Sequence, residues 1–265
     1  MLPLPFDPIL RSQKVQKIVM RGNSRRYYRF RYALFYGGIC TADAVGCNFL
    51  CAYCWNYFKN ENPEEAKYLD YFSSEEVAER LKSLGKSHDC HKYRISGSEP
   101  FLGKESTEHI ADIIKSVPRS EKIIIETNAT MLGYDKRLID ILEGCDNAVF
   151  RVCIKADSPL KFEQLTGAIG SFQPYQLEAI KALRGAGLSV SVAFMDEFVN
   201  PVLLGLGYDE DYDCESLSTY RGTKSRLKAR GILIDDEKPK KPVYKNAVSN
   251  KPKSVVYWED KGDIT

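Results

Sequence analysis

No apolar run in this chain is longer than a few residues, far short of the ~20 that carry a helix across a bilayer. The opening segment, MLPLPFD, lacks the basic start and apolar core of an export signal. A soluble, unexported, cytoplasmic protein with no membrane partner is expected. No stretch repeats at a period of roughly 20–50 residues, which sets aside solenoids and propellers. There is no second Cys-x-x-Cys, no His pair in zinc-finger spacing and no ferredoxin-like run of cysteines. Eight cysteines suit a disulfide scaffold only in a shorter, exported chain, so a reducing compartment and free thiols are expected.

What is present is ordinary bulk with an uneven distribution of charge and thiols. At 265 residues, 43% hydrophobic and 11% aromatic, the chain has the makings of a real core near the upper size of one α/β domain. Fibrous and wholly disordered classes are thereby excluded. The net charge of +2 conceals basic ends, 1–31 and 221–257, around an acidic middle. Three cysteines, Cys47, Cys51 and Cys54, crowd into eight residues, whereas Cys40, Cys90, Cys145, Cys153 and Cys214 are scattered.

From about residue 32 to 195, short apolar runs alternate with helical periodicity, the pattern of βαβ units and a largely parallel sheet. Residues 33 to about 44 read as a strand entering the cysteine loop. Ser73 and Glu76 form a capping box before Val77, Leu81 and Leu84 on one helical face. Further strands are predicted at 93–95, 123–125, 148–154 and 190–194. Helices are predicted around Ile110 to Val117, around Leu138 to Leu142, and from Pro174 to a stop near Gly185. Polar turns fall where strands end: Gly97-Ser98-Glu99-Pro100, then Glu126-Thr127-Asn128, then Lys155. A parallel sheet or barrel places its ligands on that rim. Residues 25–31 alternate enough for an edge strand, and 216–230 form a basic helix. The acidic stretch around 209–213 reads as a loop, and the segment beyond 235 as a disordered tail. The divisions expected are a basic extension (1–31), a core (32–200), a helical segment (201–235) and the tail (236–265).

Thiolates spaced Cys47-x-x-x-Cys51-x-x-Cys54 on one loop can converge on a face of an iron–sulfur cubane and leave its fourth iron without a protein ligand. A structural zinc wants four ligands, which here would have to recruit Cys40. Three unconnected core cysteines are the remaining alternative, against which Gly46 and Asn48 mark a turn. His88 and His91 flank Cys90 in what reads as a solvated turn.

The run CNFLCAYC, with Cys47, Cys51, Tyr53 and Cys54, resembles the C-x3-C-x-aromatic-C signature of the radical S-adenosylmethionine (radical SAM) superfamily. In the spacing of later motifs the chain is most similar to the activating enzymes of glycyl radical enzymes. The resemblance covers roughly 33–195. It implies an α/β fold, a partial (β/α)6 TIM-like barrel with N- and C-terminal extensions, a [4Fe-4S] cluster on the three cysteines, and S-adenosylmethionine (SAM). It further implies a one-electron reductant of ferredoxin or flavodoxin type and a 5′-deoxyadenosyl radical that abstracts hydrogen from a substrate, a glycyl radical enzyme being one candidate.

By the same resemblance, Gly97, Ser98, Glu99 and Pro100 match the family's G-G-E-P, with Ser98 in place of the second glycine. Backbone carbonyls there, together with Glu99, would take the SAM ammonium. Glu126 and Asn128 match a D/E-T-N-G stretch in which the acid meets the ribose; a carboxylate accepting two hydroxyls suits that role. Lys155 would pair with the SAM carboxylate, with Cys153 where the family has an acid, and Tyr53 would lie along the adenine through its backbone. Leu165-Thr166-Gly167 matches a downstream turn. Two other readings stand beside this one. The first is an RNA-modifying enzyme, from the basic ends with Tyr27, Tyr28 and Phe30 among arginines. The second is a non-catalytic iron–sulfur protein.

Overall fold

The computed structural model describes residues 3–65, 70–206 and 212–234. The chain opens with α1 (Pro8–Val19), β1 (Met20–Arg21), β2 (Ser24–Ala33) and β3 (Ile39–Ala44), and after the cysteine loop come α2 (Tyr57–Glu61), β4 (Asp70–Phe72) and α3 (Ser74–His88). Then follow β5 (Lys92–Ser96), α4 (Lys104–Ser116), β6 (Lys122–Thr127), α5 (Thr130–Tyr134), α6 (Arg137–Asp140) and β7 (Ala148–Ile154). The last elements are α7 (Pro159–Thr166), α8 (Pro174–Gly185), β8 (Ser189–Met195), β9 (Tyr212–Glu215) and α9 (Thr223–Ala229).

One sheet runs in the order β1-β2-β3-β5-β6-β7-β8-β9, with β4 beside β2. Its six strands β3, β5, β6, β7, β8 and β9 are all parallel, while β1, β2 and β4 join antiparallel at one margin. This is the α/β, partial (β/α)6 barrel expected. Alternation divides the strand faces. Ile95, Ile123, Ile125, Phe150 and Val152 pack with Leu81, Ile110, Ile114 and Leu183 in the main apolar core. Thr41, Arg94, Glu126, Arg151 and Asp213 meet on the opposite, inner face. Among the described residues no helix is long and apolar enough to cross a membrane.

Local chemistry explains where the elements begin. Ser73 and Glu76 close the capping box of α3. Asp7 caps α1, its Oδ1 accepting from the amides of Ile9 (2.7 Å) and Leu10 (3.0 Å), with Pro8 in the first turn.

Four expectations change. The strand predicted over 33–44 is a hairpin, because the 34–38 turn, with Tyr36, Gly37 and Gly38 at positive φ, separates β2 from β3. β2 is an edge only in its second half: over Arg25 to Tyr27 it has β4 on one side and β1, then β3, on the other, whereas from Arg29 onward its strand partner is β3 alone. The helix predicted around 138–142 shortens to α6, ahead of which Asp135 accepts from the backbone amide and side chain of Arg137, and α5 precedes it as a separate helix. The basic helix at 216–230 shrinks to α9, and Tyr212–Glu215 ahead of it forms the sixth parallel strand. Asp213 and Glu215 look like loop residues in sequence, and a strand position suits them only because Arg151 neutralises both. Residues 207–211 and the tail from 235 lie outside the described residues. His88 stacks on Tyr32 at 4.3 Å, and His91 bonds Glu121 at 2.8 Å.

Gly133 is where α5 meets α8: a Cβ there would overlap the carbonyl of Tyr175. Gly133→Ala should cost about 1–3 kcal/mol through overpacking, read as a lower urea midpoint with unchanged slope.

Candidate functional site

The cysteine loop leaves the end of β3 at Gly46, whose φ of +92° and whose missing Cβ, 2.7 Å from Val15 and Val19 of α1, both require glycine. Its amide bonds Asn60 Oδ1 at 3.0 Å. The loop is then pinned from several directions. Leu50 N and Ala52 N donate to the carbonyls of Thr166 (2.9 Å) and Leu165 (2.8 Å), which gives the Leu165-Thr166-Gly167 stop a structural purpose. Arg226 of α9 donates to Ala52 O at 2.8 Å, and Arg11 of α1 donates to Cys47 O at 3.1 Å and to Asn60 O at 2.6 Å. A turn bond from Cys54 N to Cys51 O (3.0 Å) closes its far side.

The three thiols sense one another. Burial pushes all three up, Cys54 to about 11; the neighbouring thiols add to this at Cys47 and Cys54, while Lys155 and Arg230 oppose it at Cys51. Amide donors face two of them: Asn128 Nδ2 lies 3.9 Å from Cys47 Sγ, and Asn60 Nδ2 lies 3.9 Å from Cys54 Sγ. Among the described residues no three His, Cys, Asp or Glu side chains gather closely enough to hold a single metal ion. Thiolates that each bind a separate iron of a cubane need no such convergence. Cys40 cannot complete a zinc site with them. It sits beside Cys90, which with burial pushes it up to about 12, and Cys90 in turn bonds the carbonyl of Gly38, away from the loop.

The strand-end residues surround this loop. Gly97 has a φ of +85°, and its carbonyl accepts from Asn56 Nδ2 (2.7 Å) and Asn60 Nδ2 (3.0 Å). Ser98 Oγ and the carbonyls of Glu99 and Pro100 accept from Arg25 of β2, the last two at 2.6 Å each. The buried Glu99 carboxylate accepts from Thr127 Oγ1 (2.5 Å), Asn128 N (2.7 Å) and Phe101 N (3.1 Å), and burial raises it to about 7 against those donors. Asn128 Nδ2 donates to Asn48 Oδ1 at 2.8 Å. Lys155, at the end of β7, is held through its amide by Gln176 (3.1 Å). Burial works against the Lys155 ammonium, but Tyr53, Cys153, Cys51 and Cys47 outweigh it and hold the pKa above the ordinary lysine value. Tyr53 is buried against Phe198 at 5.3 Å. Cys47, Glu99, Asn128 and Lys155 are thus drawn to one rim.

Glu126 sits apart from that group. It accepts from Ser96 (2.5 Å) and Arg94 (3.3 Å) inside the half-barrel, where Arg94 and Arg151 overcome burial and keep it below the usual carboxylate range. Arg151 also reaches Asp213 (2.5 Å) and Glu215 (2.6 Å). Arg11, Arg25, Asn60, Gln176, Arg151 and Asp213 were not assigned to the site from sequence, where Arg25 read as part of an edge strand and Asp213 as part of an acidic loop. Asp7-Pro8 signalled the helix that carries Arg11; for the others only their place in the sheet reveals the role.

The donor set fits an iron–sulfur cluster with a bound SAM. Three thiols share a loop, amides point at two sulfurs, and Asn48 Nδ2 and Asn56 Oδ1 are buried without partners. Buried polar atoms of that kind call for something to bond.

Comparison with known proteins agrees. The family described as "Radical SAM superfamily" matches residues 43–200. The chain is 24% identical over 204 residues to GTP 3′,8-cyclase of Aeromonas hydrophila subsp. hydrophila, covering 76% of this chain and 52% of that protein. It is 29% identical over 142 residues to Molybdenum cofactor biosynthesis protein moc-5 of Caenorhabditis elegans, covering 52% and 22%. The chain therefore spans about half the length of one of these curated relatives and less than a quarter of the other. A solved structure described as "Native anSMEcpe with bound AdoMet" aligns with a TM-score of 0.39 at 14% identity, over 57% of this chain and 41% of that one.

Arg151→Met should strand Asp213 and Glu215 and cost roughly 2 kcal/mol or more. That is below the ~3–5 of a fully buried pair because both carboxylates keep access to water. Urea denaturation of wild type and variant checks the loss. Glu99 yields a second expectation. Between its ordinary value of 4.5 and about 7, the folded chain keeps a proton that the unfolded chain has released, so rising pH opposes folding across that window. Wild type should lose up to about 3 kcal/mol relative to Glu99→Gln over it; a pH-independent difference between the two would refute this.

Proposed function

We propose, from the premise that the chain belongs to the radical SAM superfamily, that Cys47, Cys51 and Cys54 hold the cluster and that the surrounding strand ends hold SAM. Members of the superfamily use a [4Fe-4S] cluster, SAM and a reductant. When bound, the cluster supplies one electron that cleaves the SAM sulfonium to methionine and a 5′-deoxyadenosyl radical able to take hydrogen from a substrate.

The chain's own residues then have defined tasks. The Gly97 carbonyl and the loop it belongs to, fixed by Asn56, Asn60 and Arg25, present backbone acceptors to the SAM ammonium. Glu99 shapes that loop with oxygens already bonded to Thr127, Asn128 and Phe101, so its remaining lone pairs are what it offers an ammonium. Lys155, for which no carboxylate partner is found among the described residues, would take the SAM carboxylate. Glu126, held by Ser96 and Arg94 on the inner face, would take the ribose hydroxyls, and Tyr53 and Asn128 would border the nucleotide. The observation that carries the reading is the junction of the cysteine loop with the ends of β3, β5 and β6: Glu99 N donates to Gly46 O at 3.1 Å, and Asn128 Nδ2 donates to Asn48 Oδ1. It fixes the thiols against the candidate SAM loops, as a site handling a radical requires.

The names of the curated relatives speak for a small-molecule substrate, and the glycyl-radical activase reading draws no support from them. The polar inner face of the sheet, with Arg94, Arg151 and Glu126, suits a small polar substrate as well. The RNA reading weakens at β2. Arg25 is buried, Arg29 and Arg31 bond Asp43 at 2.7 and 2.8 Å, and Arg26 bonds Pro63 O at 2.8 Å. We take 32–200 as the catalytic core and the cytoplasm as its compartment.

Anaerobic reconstitution with iron and sulfide, followed by dithionite and SAM, should yield 5′-deoxyadenosine by chromatography. Cys51→Ala should reduce the yield to background; equal product from the variant, or none from wild type, would overturn the assignment.

A further inference from the structure

Four arginines are nearly or wholly buried: Arg11 (6% exposed), Arg25 (0%), Arg94 (6%) and Arg151 (4%). The two on the inner face are paired, Arg94 with Glu126 at 3.3 Å and Arg151 with Asp213 and Glu215 at 2.5 and 2.6 Å. The two at the cysteine loop are not. Among the described residues, neither Arg11 nor Arg25 lies within ion-pair distance of a carboxylate.

Their hydrogen bonds go to neutral groups. Arg11 donates to Cys47 O and Asn60 O and lies over the Phe6 ring. Arg25 donates to Val45 O, Glu99 O, Pro100 O and Ser98 Oγ, with its Nε buried and unpartnered. The carboxylate whose charge Arg25 feels, Glu99, turns its oxygens to Thr127, Asn128 and Phe101. Burial pulls both guanidinium groups below their ordinary value; Cys47 opposes it at each, beside Tyr57, Glu64 and Glu61 at Arg11 and after Tyr27 and Glu99 at Arg25.

Guanidinium does not give up its proton in proteins, and an unpaired buried charge is costly enough that native structures pair it. Neutral carbonyls and a hydroxyl meet part of that cost, and an anion at the cysteine loop, which both side chains hold, would meet the rest. Three thiolates outweigh the positive charge of an oxidised [4Fe-4S] core, so the assembly is a net anion, and more strongly so after accepting an electron. Net charge, hydrogen bonding and burial set the potential of such clusters.

We propose that Arg11 and Arg25 are the built-in counter-charges of the cluster, favouring its assembly and its one-electron reduction. This rests on the proposed function, because it presumes a cluster on Cys47, Cys51 and Cys54. In the step concerned, one electron passes from a low-potential one-electron donor of ferredoxin or flavodoxin class to the cluster. The donor is oxidised by one electron, and no bond in the protein forms or breaks. Arg11 and Arg25 are positioning residues, acting on the cluster through their charge and through the loop carbonyls they hold.

The test compares the full-length chain with Arg25→Met, Arg25→Lys, Arg11→Met and Arg11→Lys after anaerobic reconstitution. Iron and sulfide content is measured first, then the reduced fraction by electron paramagnetic resonance at a series of fixed potentials. Each methionine variant should show an about tenfold lower ratio of reduced to oxidised cluster at a given potential, ~59 mV for a one-electron couple. Lysine should restore most of it. A methionine variant that fails to load while its lysine counterpart loads also supports the proposal. Loaded methionine variants whose ratio moves less than about twofold overturn it, as do lysine variants that shift, or fail to load, as badly as methionine. If wild type loads and reduces but forms no 5′-deoxyadenosine, the proposed function falls while the counter-charge role is still decided by the variants. If wild type takes up no iron, both fall.

Discussion

A charge enclosed by protein must find its opposite or a full set of dipoles, because the solvation it gives up is worth several kcal/mol per ion even after relaxation. The inner face of this sheet is laid out around that requirement. Asp43, fully buried, takes Arg29 and Arg31 on one oxygen. Arg94 and Arg151 converge on Glu126, and Arg151 draws Asp213 and Glu215 into β9. Glu99 is met by one hydroxyl and two backbone amides. A polar interior of this kind can be open to a substrate and still ordered, since each charged group is held by its neighbours across the strands.

The same requirement orders the rim. The cysteine loop has little regular structure of its own, so its shape comes from outside: α1 through Arg11, β2 through Arg25, the end of α7 through Leu165 and Thr166, and α9 through Arg226. Segments flanking the matched family region, at both ends of the described chain, thus contact the loop that carries the thiols. A loop fixed from four sides holds its thiols in place, and amide donors from Asn60 and Asn128 are aimed at sulfur.

Much of this architecture was legible in the residues. Period-two runs such as Ile123 to Ile125 and period-3.6 runs such as Ile110, Ile113 and Ile114 report burial on one face, and burial on one face is what makes a strand or a helix of them. Ser73 with Glu76, and Gly167 after Thr166, are local devices whose chemistry acts over a few residues, so their neighbours suffice to read them. β9 was not legible. Asp213 and Glu215 contradict a buried strand until Arg151, some sixty residues earlier, is seen beside them. The basic run in β2 misled for the same reason: Arg25, Arg29 and Arg31 look solvated in sequence, but Arg25 is buried and the other two, only partly exposed, pair with the buried Asp43.

The spacing of Cys47, Cys51 and Cys54, the turn chemistry around them and the alternation of strands and helices belong to the sequence by itself, because each is set by covalent distance along the chain or by a periodicity of a few residues. Which charges are paired, which are left waiting, and why Cys40 stands with Cys90 rather than with the other thiols were decided only by the tertiary structure. Electrostatic partnership depends on separation in space, and in a parallel sheet the nearest neighbour in space is a whole strand–helix unit away along the chain.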